Sequence, residues 1–465
     1  MLLTVDIGTS TFKSALWDYE GNCLSTAAVP VIENINNGLM QPSLWLDAFE
    51  KCCRKLGNLK KTETIIISGN GPSLVPVLGE PFEENKFLVP AENARLWFER
   101  SAEKYQAQVS ELMGGFVDAS FFLPKILYIK NEEKDLYDRT KFFLGCPEYL
   151  AYALTAEART VFPCEGFDRW FWNDSALEKL QLDKEKFPDF IRPGELFGNI
   201  LHQAARHFGF KKNIPVISGG PDFFAAILAS GVTEPGQACD RTGSSEGINL
   251  CTKNKICDER LMSYGHPIKP HWNLSGIINT TGKAIQWGSD LLGLGFNDFI
   301  NLAQKSKPGC GGLIFLPYLA GERAPIWNPK VRALWQGISL SSDRCDFANS
   351  VLESIGFAIR DVLSVMEEKG ETAGQLRVTG GLAGCGILNQ IKADITGIEI
   401  LEGVHEEAEL PGLAIIGACY NGKFNSFAQA SSAFVKIKKH YEPNPENASL
   451  YDQLFDRYKK LNSFC

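Results

Sequence analysis

Leu2-Leu3-Thr4-Val5-Asp6-Ile7-Gly8-Thr9-Ser10 is the stretch on which the fold turns. An apolar strand runs into an acidic residue, a glycine and two hydroxyls. Phe12–Tyr19 is predicted as its hairpin partner, and Glu20-Gly21-Asn22 as the following turn. Ala238-Cys239-Asp240-Arg241-Thr242-Gly243-Ser244-Ser245 repeats the arrangement in the second half of the chain. Between them, Val216-Ile217-Ser218-Gly219-Gly220-Pro221-Asp222 reads as another buried strand, one that delivers a carboxylate to a helix start. Turns of glycine and hydroxyl residues let backbone N–H groups approach phosphate oxygens. Two of them predict a duplicated domain that holds a polyphosphate.

The remaining chain sets bounds on this reading. A length of 465 residues is too great for one core and predicts two domains. Hydrophobic content of 44% lets each half bury its own core without staples. A net charge of -8 and the lack of any Lys/Arg run argue against nucleic acid. The 13 cysteines are odd in number and hold no C-x-x-C pair, which excludes a disulfide framework and a zinc site. Six histidines without an H-x-x-x-H pair offer no histidine metal site. No apolar run reaches ~18 residues, so no membrane span is expected. Met1 leads at once into a strand pattern without a signal-type apolar region, and the cytoplasm is the expected compartment.

Along the chain, Ala48–Lys55 reads as a helix, Glu63–Ser68 as a continuous apolar strand and Leu74–Leu78 as another. The strand ending at Ser68 opens into Gly69-Asn70-Gly71-Pro72, the kind of loop in which α/β sheets place ligands. Residues from about 95 to 210 are predicted to be mostly helical, with an aromatic-rich loop at Phe167-Asp168-Arg169-Trp170-Phe171-Trp172. A polar turn near residue 232 marks the boundary between domains 1–232 and 233–465. Helices are expected at Cys146–Leu154, Asp222–Ala229, Lys283–Leu292, Asp343–Glu368, Leu388–Ala393 and Gly412–Tyr420.

Chemically, Asp6 stands where a carboxylate could hold Mg²⁺ through water, because Mg²⁺ keeps much of its hydration. Thr9 and Ser10 supply hydroxyl donors, and Lys13 on the second strand is placed to neutralise a transferred phosphoryl group. Read alone, this segment is also an ordinary β-hairpin, and so is Asp240–Ser245. No G-x-x-x-x-G-K-[ST] is present, which excludes a P-loop. Asp222 is either a plain N-cap or a base aimed at a substrate hydroxyl, and one carboxylate can serve both ends. Val378-Thr379-Gly380-Gly381-Leu382-Ala383-Gly384 is either a tight strand-to-helix turn or a surface on which a flat base lies against the backbone. The Glu322-Arg323 pair, bounded by Gly321 and Pro325, predicts an ion pair that fixes a loop.

Taken in order, these segments resemble the FGGY carbohydrate kinases over essentially the whole chain. Asp6-Ile7-Gly8-Thr9-Ser10 is similar to the family's first phosphate loop. Gly219-Gly220-Pro221-Asp222 with Gly231 is similar to its catalytic-aspartate motif, and Gly243-Ser244-Ser245 to its Gly-Thr-Ser loop. Thr281-Gly282-Lys283-Ala284-Ile285-Gln286-Trp287 resembles its Gly-x-x-x-Gln-Trp helix, and Leu316 to Pro325 its Gly-Glu-Arg-x-Pro stretch. Gly380-Gly381 through Asn389-Gln390 and Asp394 resembles its adenine-side motif. The resemblance implies an α/β fold of two actin-like, ribonuclease-H-like domains with an ATP and sugar cleft between them. It implies phosphorylation of a sugar or polyol hydroxyl, best a ketopentose, with ATP and Mg²⁺ as cofactors. By the same resemblance Asp222 is the general base, and Asp6 with Asp222 places the metal. Thr9, Ser10, Lys13, Gly243 and Ser244 hold phosphates; Gly282, Gln286, Gly380, Gly381 and Gly384 lie on the nucleotide side.

The sugar pocket departs from the family. Gly69-Asn70-Gly71-Pro72-Ser73 stands where xylulokinases carry Gln-Met-His-Gly, and Ala91-Glu92-Asn93-Ala94-Arg95 is the nearest match to a Trp-x-Asp-x-Arg segment. Asn70, Asn93, Asp222 and Phe223 are the residues expected to meet the substrate. Phe223 stands where many relatives place Asn or Gln, which removes a hydrogen bond to substrate. On the nucleotide side, Cys385 replaces an Asn of glycerol kinase. Small-molecule partners and a homodimer are expected, with neither nucleic acid nor membrane. A sugar-binding pseudokinase or an actin-like ATPase remains the alternative.

Overall fold

Strand β1 (Leu2–Ile7) is buried at every position, and so is β4 (Thr64–Gly69), which pairs with it in parallel. Strands buried on both faces read as continuous apolar runs, which is why both were visible in the sequence. The computed structural model describes residues 1–31, 35–81, 89–405 and 408–462. Its contacts divide into two compact units, Met1–Ala229 with Glu409–Phe434, and Ser230–Ala408 with Val435–Cys465.

In unit 1, β2 (Thr11–Trp17) and β3 (Cys23–Pro30) extend β1 as an antiparallel meander. On the other side of β1 lie β4 and then β6 (Pro215–Pro221), both parallel to it, with β5 (Leu196–Asn199) antiparallel at the edge. Helix α1 (Ser43–Leu56) buries Trp45, Leu46, Phe49 and Cys53 in the core that also takes Phe12 and Leu16. Helix α2 (Cys146–Thr155) carries Pro147 in its first turn and is buried along nearly its whole length. Helix α3 (Asp222–Ser230) leaves directly from the end of β6.

Unit 2 repeats the scheme. Strands β7 (Gln237–Thr242) and β8 (Glu246–Thr252) form an antiparallel hairpin. Next come β9 (Met262–Gly265) and β10 (Trp272–Ile278), with β10 antiparallel to β8. On the far side of β7, β11 (Gln375–Thr379) and β12 (Glu399–Gly403) run parallel to it, and β13 (Ile437–Tyr441) closes the edge. The order β10-β8-β7-β11-β12 matches β3-β2-β1-β4-β6 strand for strand. The duplication is therefore topological, and each unit is ribonuclease-H-like. Helices α4 (Gly282–Leu291), α5 (Arg344–Glu368) and α6 (Gly386–Thr396) are among those that pack on this sheet's unit. Asp343 caps α5 through the N–H groups of Cys345 and Asp346, and Asp346 returns the bond, so the expected start was one residue early.

Two sequence expectations change. The division into 1–232 and 233–465 follows the chain, but the units do not: the helix Glu409–Tyr420 packs with unit 1. A Cβ on Gly412 would stand 1.9 Å from the Ala225 carbonyl oxygen, and one on Gly417 would stand 2.6 Å from Ile66 Cδ1. The first missing side chain admits the helix against α3, and the second admits it onto the first sheet. The stretch from about 95 to 210, expected to be mostly helical, also carries β5 and the short strands Phe142–Leu144, Thr160–Val161 and Phe190–Ile191. Its aromatic content packs a separate core around Phe122, Phe143, Phe171, Trp172 and Phe187. Among the described residues, no helix is long and apolar enough to cross a membrane.

Candidate active site

The ends of three parallel strands build the site in unit 1. Register sets Ile7 of β1 beside Gly69 of β4, and Gly69 beside Pro221 of β6. Asp6 pairs with Ser68 along the same edge, and Asp222 follows Pro221. The carboxyl ends of parallel strands are where open α/β sheets bind ligands. A register shift between Ser218 and Gly220 bends β6 there. Gly220 takes φ 75°, Ser68 Oγ donates to its carbonyl at 2.8 Å, and its N–H donates to Ser218 Oγ at 3.1 Å.

Asp6 is buried and stands opposite Lys13 across the β1–β2 pair. The turn between them requires Gly8, since a Cβ would lie 2.6 Å from the Thr11 carbonyl oxygen. Thr9 is half-buried, and its hydroxyl accepts a hydrogen bond from the Trp97 indole at 2.9 Å. Ser10 is exposed. Asp222 is half-buried, and its Oδ1 accepts the Phe223 N–H at 2.6 Å. The buried thiol of Cys146 is pushed well up, by burial first and then by the charges of Glu148, Asp6 and Asp222, so both site carboxylates act on one buried sulfur.

Asn70 has a structural task that the sequence did not reveal. Its Nδ2 donates to the Ile7 carbonyl at 2.8 Å, its Oδ1 accepts from Ser73 Oγ at 2.6 Å, and its carbonyl accepts from Cys146 Sγ at 2.9 Å. The carboxamide is thus engaged within the protein and holds the loop against β1. Asn93 is exposed, two residues before Arg95. Lys125 was not singled out from the sequence. It is fully buried, and Nζ donates to the carbonyls of Pro72, Arg95 and Leu96 at 2.9, 3.1 and 2.7 Å. Burial pulls its ammonium down to about 7. One side chain therefore ties the loop after β4 to the segment that carries Asn93 and Trp97.

In unit 2 the candidate nucleotide residues gather around the β7–β8 turn. A Cβ on Gly282 would stand 2.4 Å from the Gly243 carbonyl oxygen, and one on Gly380 would stand 2.3 Å from that of Thr242. Gly282 N–H donates to the Gly243 carbonyl at 2.9 Å, while Thr281 and Lys283 N–H groups donate to that of Ser244 at 3.3 Å each. The start of α4 is thus docked on the turn's carbonyls. Gly380 takes φ 95°, a backbone that favours glycine. Gly381 and Gly384 are exposed on the loop after β11, and a Cβ on Gly381 would meet nothing within 4 Å. Gln286 is exposed on α4 and donates to Asp290 Oδ1 at 2.8 Å.

Beneath that turn lies a cluster that sequence reading missed. Lys392 of α6, Asp240 of β7 and Glu246 of β8 have side chains 0% exposed. Lys392 Nζ donates to Asp240 Oδ2 at 2.6 Å and to Glu246 Oε1. Burial, and then the charge of Asp240, push the Glu246 carboxyl well above its usual range. Asp240 Oδ1 and Glu246 Oε2 have no partner of their own, and a Glu246 carboxyl kept protonated by its burial supplies a donor there. Burial lowers the Lys392 ammonium, but the two carboxyls more than reverse this and hold it charged. Helical spacing was the available signal: Lys392 lies four residues after buried Leu388 and three before buried Ile395.

The expected Glu322–Arg323 ion pair takes a different form. Glu322 Oε1 accepts the N–H groups of Asn279 and Arg323 at 2.7 and 2.8 Å, and Arg323 Nε donates to Asn279 Oδ1 at 2.5 Å. Asn279 joins the two, and burial pushes the Glu322 carboxyl up to about 7. Among the described residues, no group of three or more His, Cys, Asp or Glu forms a metal cage. Asp6 and Asp222 are hard oxygen donors, the set suited to an ion that keeps its waters and takes one or two carboxylates beside phosphate oxygens.

Comparison with known proteins gives a consistent picture. Residues 1–229 match the N-terminal domain, and residues 241–420 the C-terminal domain, of the FGGY family of carbohydrate kinases. The chain is 26% identical to a xylulose kinase of Staphylococcus epidermidis, over 99% of this chain and 96% of that one. It is 24% identical to a gluconokinase of Bacillus subtilis, over 99% and 95%. The ligand-bound xylulose kinase structure from Lactobacillus acidophilus superposes with a TM-score of 0.85 at 22% identity, over 100% and 98% of the two chains.

Proposed function

Because the chain belongs to the FGGY family of carbohydrate kinases, we propose that it transfers the γ-phosphoryl group of ATP to a hydroxyl of a small sugar, with a ketopentose as the class best supported. Xylulose kinases among the similar sequences and structures support that class. The observation that carries the reading is the shared register of β1, β4 and β6, which gives Asp6 and Asp222 one sheet edge.

Asp222 accepts the proton of the acceptor hydroxyl. The freed oxygen forms its bond to the γ-phosphorus as the bond to the β–γ bridging oxygen breaks, and ADP leaves. Little covalent work falls to the protein, so positioning and charge neutralisation carry the rate. Lys13 and the hydroxyl of Thr9 stabilise charge on phosphate oxygens in unit 1, and the Gly243–Ser245 turn receives nucleotide phosphates in unit 2. Gly380 and Gly381 leave the backbone open to a flat base. Asp6 and Asp222 would hold Mg²⁺, which would supply neutralisation of phosphate charge. Neither a pseudokinase nor an actin-like ATPase is favoured, since the carboxylates and both turns are present.

The test is ADP release from Mg-ATP against ketoses, aldoses, polyols and sugar acids, for wild type and Asp222→Asn. Turnover is expected to depend on sugar and to fall by about 10²–10⁴ in the variant, with the sugar KM changed only a few-fold. Turnover independent of sugar, or a variant as fast as wild type, overturns the assignment.

A further inference from the structure

The surface beside Asp222 carries a row of aromatic rings. Phe223 follows the carboxylate directly, and its ring lies parallel to that of Phe167, with centroids 5.5 Å apart and planes 8° from each other. Phe167 meets Trp170 edge to face at 4.9 Å, and Trp170 stacks on Phe121 at 5.5 Å. All four rings are partly exposed. Phe121, Phe167 and Trp170 are backed by the core of Phe122, Phe171 and Trp172. A row of rings anchored in this way gives a fixed apolar wall that begins one residue from the proposed base.

The polar side chains at the neighbouring strand ends are engaged inside the protein. Ser68 Oγ donates to Gly220, Ser73 Oγ donates to Asn70, and the Asn70 carboxamide is held by Ile7 and Ser73. These three side chains leave little hydrogen-bonding capacity for a run of sugar hydroxyls on that edge. A hydroxyl pressed against Phe223 would give up its water without a replacement, at about 1–3 kcal/mol. A C–H or methyl group there loses nothing and gains burial.

We propose that the acceptor is a deoxy sugar or deoxy polyol, whose deoxygenated carbon lies against the Phe223–Phe167 wall while a hydroxyl elsewhere on it meets Asp222. The proposal rests on the kinase reading above and narrows its substrate class. Phe223 is then a specificity residue, separate from the proton transfer.

The experiment compares matched pairs of ketopentoses, ketohexoses and polyols, each with its terminally deoxygenated counterpart, by kcat/KM in wild type and Phe223→Asn. In wild type, at least one deoxy compound should exceed its parent by about 10-fold, mainly through KM. In Phe223→Asn that ratio should drop to one or below, with the parent gaining. Preference for the parent in every pair, or a ratio unmoved by Phe223→Asn, overturns the proposal. Should no sugar be turned over, the kinase reading fails. The same pairs titrated by calorimetry then decide the wall separately, since tighter binding of the parents overturns it and tighter binding of a deoxy compound supports it. Phe167→Leu, which leaves Asp222 and Phe223 themselves in place, keeps the test alive if Phe223→Asn does not fold: it should lower the deoxy preference about 3–10-fold.

Discussion

Replacing Lys392 by methionine keeps the length of the side chain and removes its charge. In the protein that charge sits 2.6 Å from Asp240 Oδ2 and also bonds Glu246, with all three side chains 0% exposed. Without it, two carboxyls face a thioether in a dry interior. Taking away one partner of a buried ionic cluster costs about 3–5 kcal/mol, because the charge left behind has no compensation. With a urea dependence of about 2–3 kcal/mol per molar, the midpoint for unit 2 should fall by about 1–2 M at pH 8. The loss should shrink with acid. Already in wild type the raised Glu246 carboxyl makes the folded state bind a proton that the unfolded chain gives up. That contribution is present at low pH and declines as pH rises above the usual carboxylate range. In Lys392→Met the carboxyl pair takes up one further proton, so each pH unit downward recovers about 1.4 kcal/mol, until the unfolded carboxylates also protonate near pH 4. Urea titrations followed by circular dichroism at pH 8, 7, 6 and 5 read both quantities. Asp240→Asn/Glu246→Gln added to Lys392→Met should restore much of the loss at pH 8, since no unpaired charge remains. A loss under about 1 kcal/mol at pH 8, or one that stays constant down to pH 5, refutes the reasoning.

Two further outcomes concern unit 1. Gly412→Ala puts a methyl 1.9 Å from the rigid Ala225 carbonyl, whereas Gly417→Ala meets the movable end of Ile66 at 2.6 Å. The first should destabilise by about 3 kcal/mol or more and the second by about 1, and calorimetric unfolding that reverses this order contradicts the packing described. Glu148 is buried, accepts the Val161 N–H at 3.0 Å, and is pushed up to about 7 by burial. Its contribution to stability is full below about pH 4.5 and lost as pH rises through 7. Glu148→Gln should therefore gain on wild type by about 2–3 kcal/mol between pH 5 and 8.5, and parallel stability curves would refute this.

Much of this was legible in the sequence for a definite reason. β1 and β4 are buried on both faces and announce themselves as apolar runs, and each ends in residues that only a turn would select. The two hairpin turns declare the duplication because glycine beside hydroxyls has few other uses. What stayed hidden depended on partners distant along the chain. Lys392 finds Asp240 across 152 positions, and Asn70 finds the Ile7 carbonyl across 63. The helix Glu409–Tyr420 is apolar on every side, so no stripe shows which sheet it covers. The Glu322-Arg323 dipeptide suggested a direct pair, but the Glu322 carboxyl accepts the N–H groups of Asn279 and Arg323 while Arg323 Nε donates to Asn279.

The return of Glu409–Phe434 to the first unit also sets a schedule for synthesis. When Ala229 leaves the ribosome, the sheet face around Leu2 and Ile66 and the side of α3 at Ala225 have not yet received the helix that shields them. Translation of residues 230–408 intervenes, about 10–40 s at ordinary elongation rates. For that interval the nascent chain carries a greasy, unfinished surface. Chaperones that cover exposed apolar surface are expected to hold this polypeptide until its last sixty residues or so begin to emerge.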